Sequence, residues 1–333
     1  MELPRGQVPA PEIGRVWINS PELTLAGLRG RVVLIDFWDY TCVNCLRSLP
    51  YLLEWDKRYR DNGLTIIGVH APEFSFARNA DLVRQAVQDH GIQYPVVLDN
   101  DFQIWRAFQN RYWPAKYLID KEGFVAYAHF GEGAYPETEA VIQELLKEVN
   151  PALALPSLVP PLKEEDQPGR VCYPVSPELY LGHQRGRLGN QEGFQRDQPA
   201  DYHLPKEPPP DAFSLGGRWL CRPEFLETAP PNGREPGRIL VPYLGKEVNL
   251  VMAPNQAGEH HVRLRQDGRP LAREDAGADV EFESSGEAYV SVRLPRMYRL
   301  IQNARLGPHC LELAAHQPGL AMYAFTFVSC AAD

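Results

Sequence analysis

The 333-residue sequence lacks a basic run: 34 lysines and arginines stand against 43 aspartates and glutamates, for a formal charge of −9. A nucleic-acid partner needs clustered positive charge, so none is expected. Apolar runs are short as well, and none approaches the ~18 residues that a membrane helix needs. The first twenty residues hold Pro4, Pro9 and Pro11 but no apolar signal core. That makes a cytoplasmic location the default expectation, and an extracytoplasmic one the expectation for a trimmed or tethered form. Cysteine is sparse, and four of the six, Cys172, Cys221, Cys310 and Cys330, are scattered singly. A structural zinc site would need a second closely spaced ligand pair, and the neighbours His260 and His261 would point to opposite faces of a strand. No metal is expected. Tryptophan thins out toward the C-terminus, where Trp219 alone of the six follows residue 113. A sugar platform there has few candidates, and Trp219, within a strand, reads as core.

What is present is a C-x-x-C pair, Cys42 and Cys45, at the exit of an apolar strand, Val32 to Trp38. The strand is short, β-branched and nearly free of polar side chains, as in a fully buried parallel sheet. From Val43 to about Tyr59, Leu46, Leu49, Leu52, Leu53 and Trp55 recur at helical spacing, which puts Cys42 at a helix N-terminus. There the backbone N–H groups and the helix dipole favour a thiolate, the nucleophilic form of the residue. Cys45, one turn later, can close a disulfide with it. The spacing therefore predicts an attacking Cys42 and a resolving Cys45, with no cofactor beyond this redox disulfide. A lone carboxylate at Asp36 in the apolar strand is predicted to have its pKa raised, which suits a proton acceptor.

These residues resemble the thioredoxin superfamily, in particular its TlpA-like thiol–disulfide oxidoreductases, over roughly residues 10 to 150. The resemblance implies that Asp36 is the buried acid that helps move the proton of the second cysteine. It makes Pro50, eight residues after Cys42, the proline that kinks the active-site helix. In Tyr112-Trp113-Pro114-Ala115-Lys116-Tyr117, Pro114 matches the superfamily's cis-proline, where the backbone of Trp113 can hydrogen-bond an extended substrate. Trp113, Pro114 and Trp38 are thus the candidate substrate-contacting residues. Two departures stand out: Val43-Asn44 between the cysteines, and the bulk of Trp113. His70 and Glu73, at the end of the next strand, stand on the same sheet edge and are candidates for tuning Cys42 or Asp36.

The expected fold class is an α/β thioredoxin-like domain, with a mixed sheet flanked by helices, over residues 1–150, followed by an all-β jelly-roll sandwich over 213–333. The first includes an inserted helix from Ala80 to His90 and a closing helix from Glu137 to Val149. Residues 151–212, rich in proline, read as a surface-packed connector. Eight or nine short alternating strands are predicted for the rest, among them 238–240, 247–252, 298–301 and 309–313, with Asp267-Gly268 as a turn. Cys221 and Cys330 flank the first and last of these strands, so a disulfide and isolated buried thiols both remain open. The whole arrangement resembles the soluble C-terminal part of DipZ-type proteins, in which a carbohydrate-binding-module-like domain follows the TlpA-like one.

The favoured function is a thiol–disulfide oxidoreductase. Its partners are protein thiols or disulfides and an external dithiol donor or acceptor, with a glycan at the β domain as a further candidate. One alternative is a peroxiredoxin-like thiol peroxidase, although Ile35 and Asp39 stand where the pattern Pro-x-x-x-Thr-x-x-Cys needs proline and threonine. The other is a non-catalytic glycan- or partner-binding protein on a thioredoxin scaffold, for which an intact Cys42, Cys45, Asp36 and Pro114 would be superfluous.

Overall fold

The structure is a computed structural model that describes residues 16–167, 173–230, 235–255 and 258–329. The chain divides into two units between residues 166 and 167. The first contains β1 (Trp17–Ile18), β2 (Val32–Trp38), α1 (Val43–Tyr59), β3 (Leu64–His70), α2 (Ala80–Asp89), β4 (Val96–Leu98), α3 (Gln103–Ala107), β5 (Ala115–Ile119), β6 (Val125–Phe130) and α4 (Tyr135–Val149). Its sheet runs β1-β4-β3-β2-β5-β6, with β4, β3 and β2 parallel and the remaining pairs antiparallel.

Central β2 is buried along its whole length. Its alternate residues feed two cores, as the period of a strand requires. Val32, Leu34 and Trp38 pack with residues of α1, α2 and α4 on one face, and Val33, Ile35 and Phe37 with Ile104 and Phe108 on the other. Pro50 lies inside α1.

The stretch expected to be a connector is divided between the units. Leu153, Leu155 and Val159 join the core beneath α1 and α4. The buried Glu139 carboxylate accepts the Val159 N–H at 2.7 Å, and Tyr51 Oη accepts that of Leu162 at 2.8 Å. Polar anchors on α1 and α4, which periodicity does not reveal, extend this unit to about residue 166.

The second unit contains β7 (Leu179–Tyr180), β8 (Pro199–Tyr202), β9 (Ser214–Cys221), β10 (Leu226–Thr228), β11 (Gly237–Pro254), β12 (His260–Gln266), β13 (Arg269–Pro270), β14 (Glu281–Phe282), β15 (Ala288–Val292), β16 (Arg296–Ala315) and β17 (Leu320–Val328). The all-β reading holds, but the strands join as one continuous antiparallel sheet of eleven. The pieces predicted at 238–240 and 247–252 are a single 18-residue strand, β11, and those at 298–301 and 309–313 a single 20-residue strand, β16. Pro242 and Gly245 fall between the first two pieces, and Gly307 and Pro308 between the second two. In the fold Gly245 pairs with Gly307 and Leu244 with Pro308, beside a bulge where both long strands bend and continue.

β9 changes partner part-way. Residues 214–216 pair with β11 and residues 219–221 with β10, on either side of Gly217 at φ +78°. A Cβ on Gly217 would lie 2.6 Å from the Pro236 carbonyl, so only glycine fits. Trp219 is fully buried and donates its Nε1–H to the Gly216 carbonyl at 3.0 Å, which makes it core rather than a sugar platform. Cys221 is a buried thiol 3.2 Å from Tyr202 Oη, and Cys310 a half-buried one. Cys172 and Cys330 lie outside the described residues.

Candidate active site

The site assembles where β2 and β3 end. Cys42 is the N-cap of α1: its backbone is extended, at φ −81° and ψ 113°, and its Sγ accepts the Cys45 N–H at 3.3 Å. The sulfur thus occupies the place of a capping oxygen and satisfies a helix N–H that would otherwise lack a partner. Cys42 is partly exposed and Cys45 buried, and both are free thiols. Burial pushes the Cys45 thiol well above its ordinary pKa, and the adjacent Cys42 sulfur and the charge of Asp36 push the same way. The partly exposed sulfur can meet a substrate, while the inner one needs a base to ionise.

Asp36 is the carboxylate whose charge acts on Cys45. It is 2% exposed, and burial raises its carboxyl from 3.8 to about 7, against the opposing pull of Lys116. Lys116 Nζ stands 3.9 Å from Asp36 Oδ1, and neither atom has a hydrogen-bond partner. On the other side of Asp36 the β3 residue in register is Gly68, whose missing side chain makes room for the edges of Trp38 and Tyr94. Trp38, 2% exposed, lines the interior beside Asp36 and presents no surface to a substrate.

Asp39 is the residue that ties the loop together. Its Oδ1 accepts the Thr41 N–H and hydroxyl, both at 2.6 Å, and its Oδ2 accepts the Glu73 N–H at 2.7 Å. Burial raises its pKa, and these three donors oppose the rise. The Cys42 N–H in turn donates to the Asp39 carbonyl at 3.1 Å. Asp39 therefore fixes the approach to α1 against the loop after β3. Glu73 contributes its backbone to this contact.

His70 is fully buried, with Asp39 Oδ2 at 4.0 Å, the Tyr40 ring stacked on it at 5.6 Å and the Trp38 ring edge-on at 5.4 Å. Burial lowers its pKa to about 3, so it is neutral at physiological pH and brings no charge to the site. The Trp113–Pro114 peptide is cis. Trp113 is held by its Nε1–H donating to the Ala71 carbonyl at 3.0 Å and by the Trp105 ring at 4.2 Å. Ala71 directly follows β3 and its N–H donates to the Trp38 carbonyl, so the Pro114 loop sits at the same sheet edge as Cys42.

Sequence reasoning singled out Cys42, Cys45, Asp36, Trp38, His70, Glu73, Trp113 and Pro114, and missed Asp39 and Lys116 as members of the site. Both left a trace. Asp39-Tyr40-Thr41 ahead of a helix has the pattern of an Asx turn. Lys116 stands in a strand, Ala115–Ile119, that is otherwise apolar and fully buried. Among the described residues no cluster of three or more His, Cys, Asp or Glu side chains fits a metal ion.

Residues 8–128 match the AhpC/TSA family, and residues 176–327 match the Thioredoxin like C-terminal domain. Protein DipZ of Mycobacterium bovis is 32% identical over 323 residues, an alignment covering 93% of this chain and 41% of that protein. The chain thus spans less than half the length of this relative. Thiol-disulfide oxidoreductase YkuV of Bacillus subtilis is 29% identical over 143 residues, or 42% of this chain and 95% of that protein. The chloroplastic protein Suppressor of Quenching 1 of Arabidopsis thaliana is 35% identical over 131 residues, 39% of this chain and 12% of that protein. The chain therefore joins a thioredoxin-like domain of the AhpC/TSA family to a thioredoxin-like C-terminal domain, and over both it is a homologue of DipZ.

Proposed function

We propose that this protein is a thiol–disulfide oxidoreductase acting on protein disulfides or dithiols through Cys42 and Cys45. The observation that carries the reading is the Cys42 sulfur at the N-cap of α1, within 3.3 Å of the Cys45 N–H, with Cys45 buried behind it. In the reducing direction the Cys42 thiolate attacks a substrate disulfide, and one substrate sulfur leaves as a thiolate. Cys45 then gives its proton to Asp36 and attacks Cys42 Sγ. The mixed disulfide breaks, the second substrate sulfur departs, and two electrons have passed from the pair to the substrate. An external dithiol resets the site, and the oxidising direction is the same sequence reversed. The similarity to YkuV and DipZ supports this chemistry.

Cys45→Ser removes the resolving thiol and tests the roles directly. Incubated with a disulfide-bearing peptide, this variant accumulates a mixed disulfide at Cys42, whereas Cys42→Ser accumulates none. Equal trapping at either cysteine would overturn the assignment. The AhpC/TSA match also raises a thiol peroxidase as a second reading. Ile35 and Asp39 at the proline and threonine positions of the peroxidase pattern oppose it, and rapid consumption of hydrogen peroxide by the reduced protein would favour it.

A further inference from the structure

Asn110 is a buried side chain in an exposed stretch of loop. Gln109 before it and Arg111 and Tyr112 after it face solvent, whereas Asn110 is 4% exposed. The chain turns sharply to bring it inward: Gln109 stands at φ +52°, in the left-handed region that residues other than glycine seldom adopt. A buried amide is costly unless its hydrogen bonds are met, and here both ends are used. Nδ2 donates to the Tyr112 carbonyl at 3.0 Å, and Oδ1 accepts the Tyr117 hydroxyl at 3.2 Å. The amide can sit only this way round, because the carbonyl accepts and cannot donate. The Asn110 N–H donates to the Trp105 carbonyl at 2.9 Å. Tyr117 is itself fixed, buried in β5 with its ring against Phe37 and Phe108.

The consequence falls on the next peptide group. In a trans peptide the C=O and N–H point to opposite sides, and the Tyr112–Trp113 bond is trans, the cis bond of this loop being Trp113–Pro114. With the Tyr112 carbonyl turned onto Asn110, the Trp113 N–H points away from it. The Pro114 carbonyl is engaged as well, by the Gly131 N–H at 2.8 Å. Among the described residues the Trp113 N–H and the Trp113 carbonyl have no partner. Trp113 and Cys42 pack against the same core, so these two free backbone groups stand at the sheet edge that carries the redox sulfur.

We propose that Asn110 is a positioning residue of substrate binding. Anchored by Tyr117, it holds the Tyr112–Trp113 peptide so that the Trp113 N–H is presented to a backbone carbonyl of an extended segment in a disulfide-bearing protein. The inference rests on the oxidoreductase reading above. A donor and an acceptor on one residue match antiparallel pairing, in which facing residues exchange both N–H···O bonds. The chemistry recognised is the peptide backbone, so the substrate class is an extended polypeptide rather than a small disulfide. Fixing the donor beforehand removes an ordering cost that a mobile loop would meet on binding.

The test compares two disulfides as oxidants of the reduced protein in a Cys45→Ser background: an extended disulfide-bearing peptide, and 2-hydroxyethyl disulfide, which has no backbone amide. In Asn110→Ala the rate of mixed-disulfide formation at Cys42 with the peptide, taken relative to that with 2-hydroxyethyl disulfide, is expected to fall about fivefold, the worth of one ordinary hydrogen bond. Tyr117→Phe, which keeps the ring and removes the anchoring hydroxyl, should shift the ratio in the same direction by a smaller factor. A folded Asn110→Ala protein with the ratio unmoved would overturn the proposal, whether both rates hold or both fall together. A measurement with Asn110 intact is independent of how the variants fold: the peptide amides are replaced by esters one at a time, each weakening one carbonyl acceptor. One position should slow attack at Cys42 about fivefold, and a flat scan would equally overturn the proposal. If the protein attacks 2-hydroxyethyl disulfide but not the peptide, the role of Asn110 is refuted while the cysteine chemistry stands. If neither disulfide is attacked, the oxidoreductase reading itself fails and takes the proposal with it.

Discussion

The buried acid makes the stability of the thioredoxin-like unit depend on pH in an unusual direction. Asp36 titrates at about 7 in the fold and at 3.8 when exposed, so the folded state binds this proton more tightly than the unfolded chain does. Stability from this group is fully present below pH 3.8 and is lost as pH rises through about 7. Each unit of difference is worth about 1.4 kcal/mol, which gives about 4 kcal/mol over the full span and about 3 kcal/mol between pH 4.5 and pH 8. Asp36→Asn removes the dependence. The interaction of Asp36 with Lys116 changes as Asp36 ionises, and that change is already contained in the Asp36 pKa, so it needs no separate accounting. The assay is urea unfolding at the two pH values, with and without Asp36→Asn, in a background where Cys42→Ser and Cys45→Ser remove thiol ionisation. Tryptophan fluorescence reports on the relevant unit, because five of the six tryptophans, Trp17, Trp38, Trp55, Trp105 and Trp113, lie in it. The parent should lose about 3 kcal/mol relative to the variant on going from pH 4.5 to pH 8. A difference that stays constant across that range would refute the claim that Asp36 is buried with a strongly raised pKa.

Three further outcomes follow from the packing. Gly68→Ala places a Cβ 3.0 Å from Trp38 Nε1 and 3.2 Å from the Tyr94 ring, and should cost about 1–3 kcal/mol in urea unfolding while disturbing the Asp36 titration. Asp39→Ala leaves the Thr41 and Glu73 N–H groups without their acceptor, which should cost about 2–4 kcal/mol and change the alkylation rate of Cys42 by loosening the approach to α1. In the β unit, Tyr243, Gln266 and Asn303 form a closed ring of buried hydrogen bonds of 2.7, 2.9 and 2.9 Å. Asn303→Ala should cost about 1–3 kcal/mol in thermal unfolding, because it strands the amide of Gln266.

Much of the redox unit could be read from the chain because its signals are local. An unbroken apolar strand, a helix-spaced leucine series and a cysteine between them placed β2, α1 and the N-cap position of Cys42 with little ambiguity. The strand-end position of His70 could be read from the chain, but its enclosure by the Tyr40 and Trp38 rings could not, because no spacing records it. Lys116 acquired meaning only once the register of β2 against β5 set it opposite Asp36. In the β unit the difficulty was the reverse. Gly245, Gly307 and Pro308 are strong local stop signals, yet paired across two strands at a bulge they permit a bend rather than end the strands. Asn190 likewise reads as a loop residue, but its side chain holds both the N–H and the carbonyl of Leu215 on β9.

The most direct test of the central claim is the equilibrium of the Cys42–Cys45 pair against glutathione buffers of graded potential, followed by thiol alkylation and mass spectrometry with Cys42→Ser as control. A single reversible two-electron transition confined to this pair is the predicted result, and its midpoint sets the direction in which the protein works. If Cys42 and Cys45 remain separately alkylated across the whole range, they are not a redox couple and the account is contradicted.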